Sequence, residues 1–235
     1  MHPHGIIPLQ AILWAAYCDS HLSMMTNGKR KELYGFGAAA DVVGSLPFLR
    51  NIMGWLSAGS ATYKVLKDGL VKGESLACNA VNRKPRNLFI LPGGIAEIFC
   101  SQPKADIIVF RHRKGLCRLS LETGALLIPC YVFGGTDFFC NLLTSDGFVS
   151  RFCRRFQLGV TVFWGQFGLP FIPFTPKVTI CIADPIPVVK WDKSDTPVPD
   201  EFIDRLHSQY LESIQRLFDD YKVQAGYPDA KLEIR

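Results

Sequence analysis

The chain has 235 residues, 48% of them apolar, and 26 Lys and Arg against 21 Asp and Glu give it a formal charge of +5. That composition supports one substantial core undivided by any low-complexity run, and with no run of 18 or more cleanly apolar residues a regular transmembrane helix is not expected. Eight cysteines without a C-x-x-C pair exclude a disulfide scaffold or a zinc module and point to a reducing compartment.

Residues 1–235 contain no Ser/Gly linker and read as a single domain. The first element is His2-Pro3-His4-Gly5, two tunable imidazoles around a rigid proline, running into the apolar stretch from Gly5 to Tyr17. Gly35-Phe36-Gly37-Ala38 resembles a dinucleotide fingerprint, but the polar Lys29 to Tyr34 before it is no buried strand, so that motif is set aside. Gly73-Glu74-Ser75-Leu76-Ala77 follows a polar helical stretch, Lys67 to Lys72, where a nucleophile elbow needs a strand. Neither a Walker loop nor a His-Glu-x-x-His motif is present.

Short apolar runs ending in glycine or a polar turn then alternate with amphipathic stretches, as in a mixed α/β domain. Strands are expected at Leu88–Leu91, Ile107–Phe110, Ala125–Phe133 and Val178–Ala183, with a helix from Gly115 to Thr123 between the second and third. Gly159 to Phe174 is apolar apart from Thr161 and Gln166; it reads as a core segment, with a membrane-dipping loop as the alternative. Pro199 to Gln224 is an amphipathic helix with Phe202, Ile203, Leu206, Tyr210, Ile214, Leu217, Phe218 and Tyr221 on one stripe; its His207 is placed at the surface or rim without a catalytic role.

Cationic clusters at Lys29-Arg30-Lys31, Arg83-Lys84-Arg86, Arg111-His112-Arg113-Lys114 and Arg151 with Arg154-Arg155 favour anionic lipid or a nucleotide-like ligand over a nucleic-acid strand. The residues that could do chemistry are the histidine pair, Pro92-Gly93-Gly94-Ile95-Ala96-Glu97 after one strand, and Arg111 to Gly115 after the next. They supply a base, an orienting carboxylate and a cationic rim, with the Gly-Gly turn offering backbone to an oxyanion.

Taken in order, His2-Pro3-His4-Gly5-Ile6, Leu46-Pro47-Phe48-Leu49-Arg50, Gly93-Gly94-Ile95-Ala96-Glu97, Arg111-His112-Arg113-Lys114-Gly115-Leu116, Gly124 to Gly134 and Asp184-Pro185-Ile186 resemble one family. It is the membrane-bound diacylglycerol acyltransferases of the histidine-motif type, with their monoacylglycerol and wax-alcohol acyltransferase relatives. The resemblance implies a glycerolipid-acyltransferase-like fold, a mainly parallel central sheet flanked by helices. It also implies transfer of a fatty acyl group from acyl-CoA to diacylglycerol, at the cytosolic face of the endoplasmic reticulum or a lipid droplet, with a monoacylglycerol or a wax alcohol as alternative acceptors and a catalytically inactive lipid-binding fragment as the alternative of another class. By the same analogy His4 is the general base, Glu97 its partner and His2 a support. Pro3, Gly5, Gly93, Gly94, Arg111, Arg113, Lys114 and Gly115 line the substrate site. Acyl-CoA is then a co-substrate, and no metal or other cofactor is expected. The implied partners are a neutral-lipid acceptor and a membrane surface, not nucleic acid, and a homo-oligomer is compatible with the reading. Two departures accompany the likeness. Gly135 stands where relatives commonly carry glutamate, and the hydrophobic hairpin that precedes the histidine motif in relatives is expected to be missing from this chain.

Overall fold

The computed structural model describes residues 1–7, 35–39, 50–51, 58–72, 87–142, 162–170, 172–193 and 196–235. The Leu46–Leu49 part of the middle block, the Gly73–Ala77 motif with Ser75, and the cationic clusters at 29–31, 83–86 and 151–155 lie outside the described residues. The fold is described in two compact units, residues 9–90 and residues 1–8 with 91–235.

The unit formed by residues 9–90 carries three short strands, β1 (Gly35–Ala39), β2 (Ala58–Ser60) and β3 (Asn87–Phe89), and helix α1 (Tyr63–Lys72). They make a parallel sheet in the order β2-β1-β3, with Gly37 facing both Ala58 and Phe89 across the ladder. A Cβ on Gly37 would come within 3.3 Å of the Ala58 Cβ, so the small residues let these strands approach. The glycine run of the rejected dinucleotide motif is therefore itself a strand, where the motif needs a turn.

The other unit contains β4 (Ile107–Ile108), β5 (Cys130–Phe133), β6 (Cys140–Asn141), β7 (Phe163–Trp164), β8 (Thr179–Ile182) and β9 (Glu233–Ile234), with helices α2 (Gly94–Cys100), α3 (Gly115–Thr123) and α4 (Asp200–Ala225). The class is mixed α/β. The described strands of this unit pair as β4 with β9 in parallel, and β5 with β8 and β6 with β7 antiparallel, rather than as one continuous parallel sheet. Each ladder is short because glycine, proline or a polar turn interrupts the apolar run on at least one strand.

All four residues of β5 are buried, with α4 laid against it. Phe218 of α4 stacks on Phe133 at 5.3 Å and meets Tyr131 edge-on at 5.1 Å, and Ile203, Leu206, Tyr210, Ile214 and Leu217 continue the same buried stripe. Phe202 and Tyr221, expected on that stripe, lie at its margins, 47% and 42% exposed. His207 is a correction of the opposite kind. It is buried, stacked on Phe110 and donating from Nε2 to the Phe110 carbonyl at 3.0 Å. Among the described cysteines, 100, 117, 130 and 181 are buried, and burial pushes the Cys117 thiol up to about 12, so it packs as a small apolar group.

The segment around Gly159 to Phe174 departs from the expected core. Among its described residues Val162, Phe167, Leu169 and Ile172 are exposed. No helix of the described residues is long and apolar enough to cross a membrane.

Candidate active site

The histidine motif is held by β5. His2 donates its N–H to the Cys130 carbonyl at 2.9 Å and accepts at its own carbonyl from the Val132 N–H at 2.8 Å, forming a parallel bridge beside Tyr131. That bridge places the His2 ring fully inside the unit, edge-on to Phe110 at 5.4 Å and Tyr210 at 6.2 Å. Pro3 and Gly5 are buried beside it, and His4 is half-buried.

Glu97 rises to meet this motif from the first turn of α2, where a carboxylate complements the helix dipole. It is 1% exposed and saturated with donors. Oε1 accepts from His2 Nδ1 at 2.7 Å and from the Val109 N–H at 2.9 Å, and Oε2 accepts from the His4 main-chain N–H at 2.7 Å. Burial works against its charge, yet the His2 ring and the two main-chain donors outweigh it and hold the carboxyl below the ordinary carboxylate range. The carboxylate's ring partner is thus His2, while it reaches His4 through the main chain.

The Pro-Gly-Gly turn has a steric purpose in this arrangement. A Cβ on Gly93 would fall 1.7 Å from Glu97 Cδ, so only glycine leaves the carboxylate its place. Gly94 follows with φ of +48°, and the Arg113 guanidinium closes over the turn, donating to the Pro92 carbonyl at 3.1 Å.

Both rings have a defined tautomer. His4 Nδ1 lies 2.7 Å from the Gly5 carbonyl, which can only accept, so Nδ1 carries the proton and Nε2 the lone pair. Burial lowers the pKa of His4 below the ordinary histidine value against the opposing pull of that carbonyl. His2 is likewise lowered by burial, with Glu97 opposing, and donates from Nδ1; its Nε2 is buried without a hydrogen-bond partner among the described residues. The shifts thus favour the neutral form of both imidazoles and the ionised form of the carboxyl.

The cationic rim is only partly gathered here. Arg113 touches the turn, whereas Lys114 pairs with Asp204 of α4, Arg111 is exposed, and Gly115 opens α3 with no atom near where a Cβ would stand. No group of three or more His, Cys, Asp or Glu side chains suited to a metal occurs among the described residues. Four residues contribute here beyond those the sequence assigns to the site. The Val109 N–H and the Cys130 and Val132 main chain carry no side-chain signal, while His207 fixes the Phe110 carbonyl one residue beyond Val109.

The profile of the diacylglycerol acyltransferase family matches residues 1–235, covering the histidine motif and the Glu97 turn together. The chain belongs to that family. Its family relatives include mouse acyl-CoA wax alcohol acyltransferase 2, 28% identical over 98% of this chain and 67% of the mouse protein. Diacylglycerol O-acyltransferase 2 of Rattus norvegicus is 27% identical over 98% of this chain, and diacylglycerol O-acyltransferase 2-like protein 6 of Bos taurus 26% over the same share. The chain spans 58% of the length of the rat family member and 67% of the bovine one. No solved structure matches it.

Proposed function

We propose that this chain is an acyl-CoA-dependent O-acyltransferase that moves a fatty acyl group onto the hydroxyl of diacylglycerol, making triacylglycerol. The observation that carries the reading is the locked histidine motif. Glu97 fixes the main chain at His4, and the Gly5 carbonyl fixes its ring, so that a neutral imidazole offers Nε2 as proton acceptor.

The step is a direct displacement. The acceptor oxygen attacks the thioester carbonyl carbon while its proton passes to His4 Nε2; the C–S bond breaks, and the proton then goes to the departing thiolate to give coenzyme A. No covalent enzyme intermediate, metal or further cofactor is assigned. His2 and Glu97 are positioning residues in this scheme, since His2 is wholly buried and its protonated nitrogen is engaged. Arg111 and Arg113 are assigned to the coenzyme A phosphates on charge. Lys114 stands beside them but faces Asp204. The same reading takes the fold as glycerolipid-acyltransferase-like with a mainly parallel central sheet, and within the unit of residues 9–90 the parallel order β2-β1-β3 supports it. It assigns the chain to the cytosolic face of the endoplasmic reticulum or a lipid-droplet surface, where its substrates partition, and admits a homo-oligomer.

A second reading, a long-chain alcohol as acceptor, is favoured by the 28% identity to mouse acyl-CoA wax alcohol acyltransferase 2. Labelled oleoyl-CoA supplied to microsomes expressing the chain, with diacylglycerol, monoacylglycerol and fatty alcohol in parallel, separates the two. The expected product is triacylglycerol, reduced about 10²- to 10⁴-fold by His4→Ala. A wax ester as the main product selects the second reading, and turnover unchanged by His4→Ala removes His4 from its role.

A further inference from the structure

Phe167 is 86% exposed and lies at φ of +58° and ψ of +17°, a left-handed conformation that a bulky side chain seldom adopts. It crowns a loop running from Gly165 to Pro170. Inside that loop Gly165 donates to the Leu169 carbonyl at 2.9 Å, Gly168 to the Gly165 carbonyl at 3.3 Å and Leu169 to the Gln166 carbonyl at 3.1 Å, while Gln166 donates to the Ile172 carbonyl at 2.8 Å. Pro170 has no N–H to satisfy. A Cβ on Gly165 would fall 1.9 Å from the Ile172 carbonyl oxygen, so glycine is required for the closure. The loop is thus a shaped tip whose main-chain donors are largely spent internally.

The tip is tied to α2, the helix that carries Glu97. β7 pairs with β6 in the register Cys140 to Trp164 and Asn141 to Phe163, and Phe139 packs edge-on against Phe163 at 5.1 Å. The Asn141 amide then donates to the carbonyl of Ile98, the residue after Glu97 in α2, at 3.2 Å. Whatever Phe167 enters is held in a set orientation to the site.

We propose that the loop bearing Phe167 is a wedge that inserts into a phospholipid surface, with Leu169 beside Phe167 and Trp164 at its shoulder. A segment entering hydrocarbon has to pair most of its main-chain groups internally and carry no charge; here the N–H groups of Gly165, Gln166, Gly168 and Leu169 are paired, Pro170 has none, and no residue from 165 to 170 is charged. No Asp, Glu, Lys or Arg stands between Arg155 and Lys177, while Arg151, Arg154, Arg155 and Lys177 flank the stretch in sequence with charge suited to anionic headgroups. A protein partner would be expected to meet a polar or ionic rim around the aromatic, which this stretch lacks.

The test is flotation of the purified full chain with vesicles of phosphatidylcholine and phosphatidylserine, which needs no turnover and so stands apart from the acyltransferase reading. Phe167→Gly is the informative variant, because glycine accepts φ of +58° and removes only the ring. Vesicle partitioning is expected to fall about tenfold or more, with the melting temperature unchanged or raised. Phe167→Trp should float as the parent does, and so should Val189→Asp, which alters a residue 88% exposed elsewhere in the same unit. A parent chain that does not float, or Phe167→Gly floating like the parent, overturns the wedge. So does Phe167→Gly changing only the oligomeric state in sedimentation, which would assign the tip to a second copy of the chain.

Discussion

A base that takes a proton from an alcohol near neutral pH has to be unprotonated before the alcohol arrives. For His4, the base proposed above, partial burial meets this requirement by lowering the ring's pKa from the histidine value of about 6.5. The acid limb of kcat/KM for acyl transfer is therefore expected below that value, with the rate held through the ordinary histidine range as pH falls from neutral. A limb centred above it would mean that the ring titrates as if solvated. Glu97 has a separate dependence on Gly93. A methyl group at that position would occupy the carboxylate's own space, so Gly93→Ala, like Glu97→Gln, should lower transfer by about 10²-fold or more, and it should cost about 2 kcal/mol in urea unfolding. Unimpaired transfer by Gly93→Ala would show that the Glu97 contacts are dispensable.

At the scale of elements, most of what positions the site is the exit and entry geometry of short strands. β5 ends at Gly134, where φ is +77° and a Cβ would lie 2.4 Å from the Lys177 carbonyl oxygen. Gly134→Ala is expected to cost about 2 to 4 kcal/mol, because it sets strain against a main-chain atom that cannot swing aside. Gly115 begins α3 with open space around it, so Gly115→Ala should raise stability by about 0.5 kcal/mol through helix propensity alone. Paired urea melts that moved in the same direction would contradict the distinction. The helices themselves were legible in the chain. α3 spans Gly115–Thr123 as its pattern predicts and stops at Gly124 in the left-handed region; α4 starts behind Pro199 and stops at Gly226 in the same conformation. His207 was misplaced because a polar residue was read as surface. Its spacing from Ile203, Tyr210 and Ile214 in fact puts it on the buried stripe, where the Phe110 carbonyl satisfies its ring.

For the whole molecule, the proposed mechanism makes proton transfer at His4 independent of the choice of acceptor. His4 would act on whichever hydroxyl is bound, so His4→Ala is expected to reduce transfer to diacylglycerol, monoacylglycerol and fatty alcohol by a similar factor in the same microsomal panel. Unequal losses would place His4 in acceptor recognition as well. The apolar stretch around Phe167 illustrates the limit of composition at this scale. Hydropathy shows that Val162, Phe167, Leu169 and Ile172 avoid water, but not whether protein or lipid covers them, and in the fold they face outward.

The sequence by itself determined the mixed α/β class and the long amphipathic helix, because periodicity and turn chemistry are local, and it singled out His2, His4, Gly93 and Glu97, which the fold brings together. Only the tertiary structure decided how those residues meet. His2 and Glu97 are 95 positions apart, and Val109 enters through a main-chain N–H that no side-chain pattern announces. A single carboxylate has few lone pairs, and which donors claim them depends on the register of His2 on β5 and the steric gap at Gly93. That register gives Glu97 the ring of His2 and the main chain of His4, leaving the His4 ring to be set by Gly5.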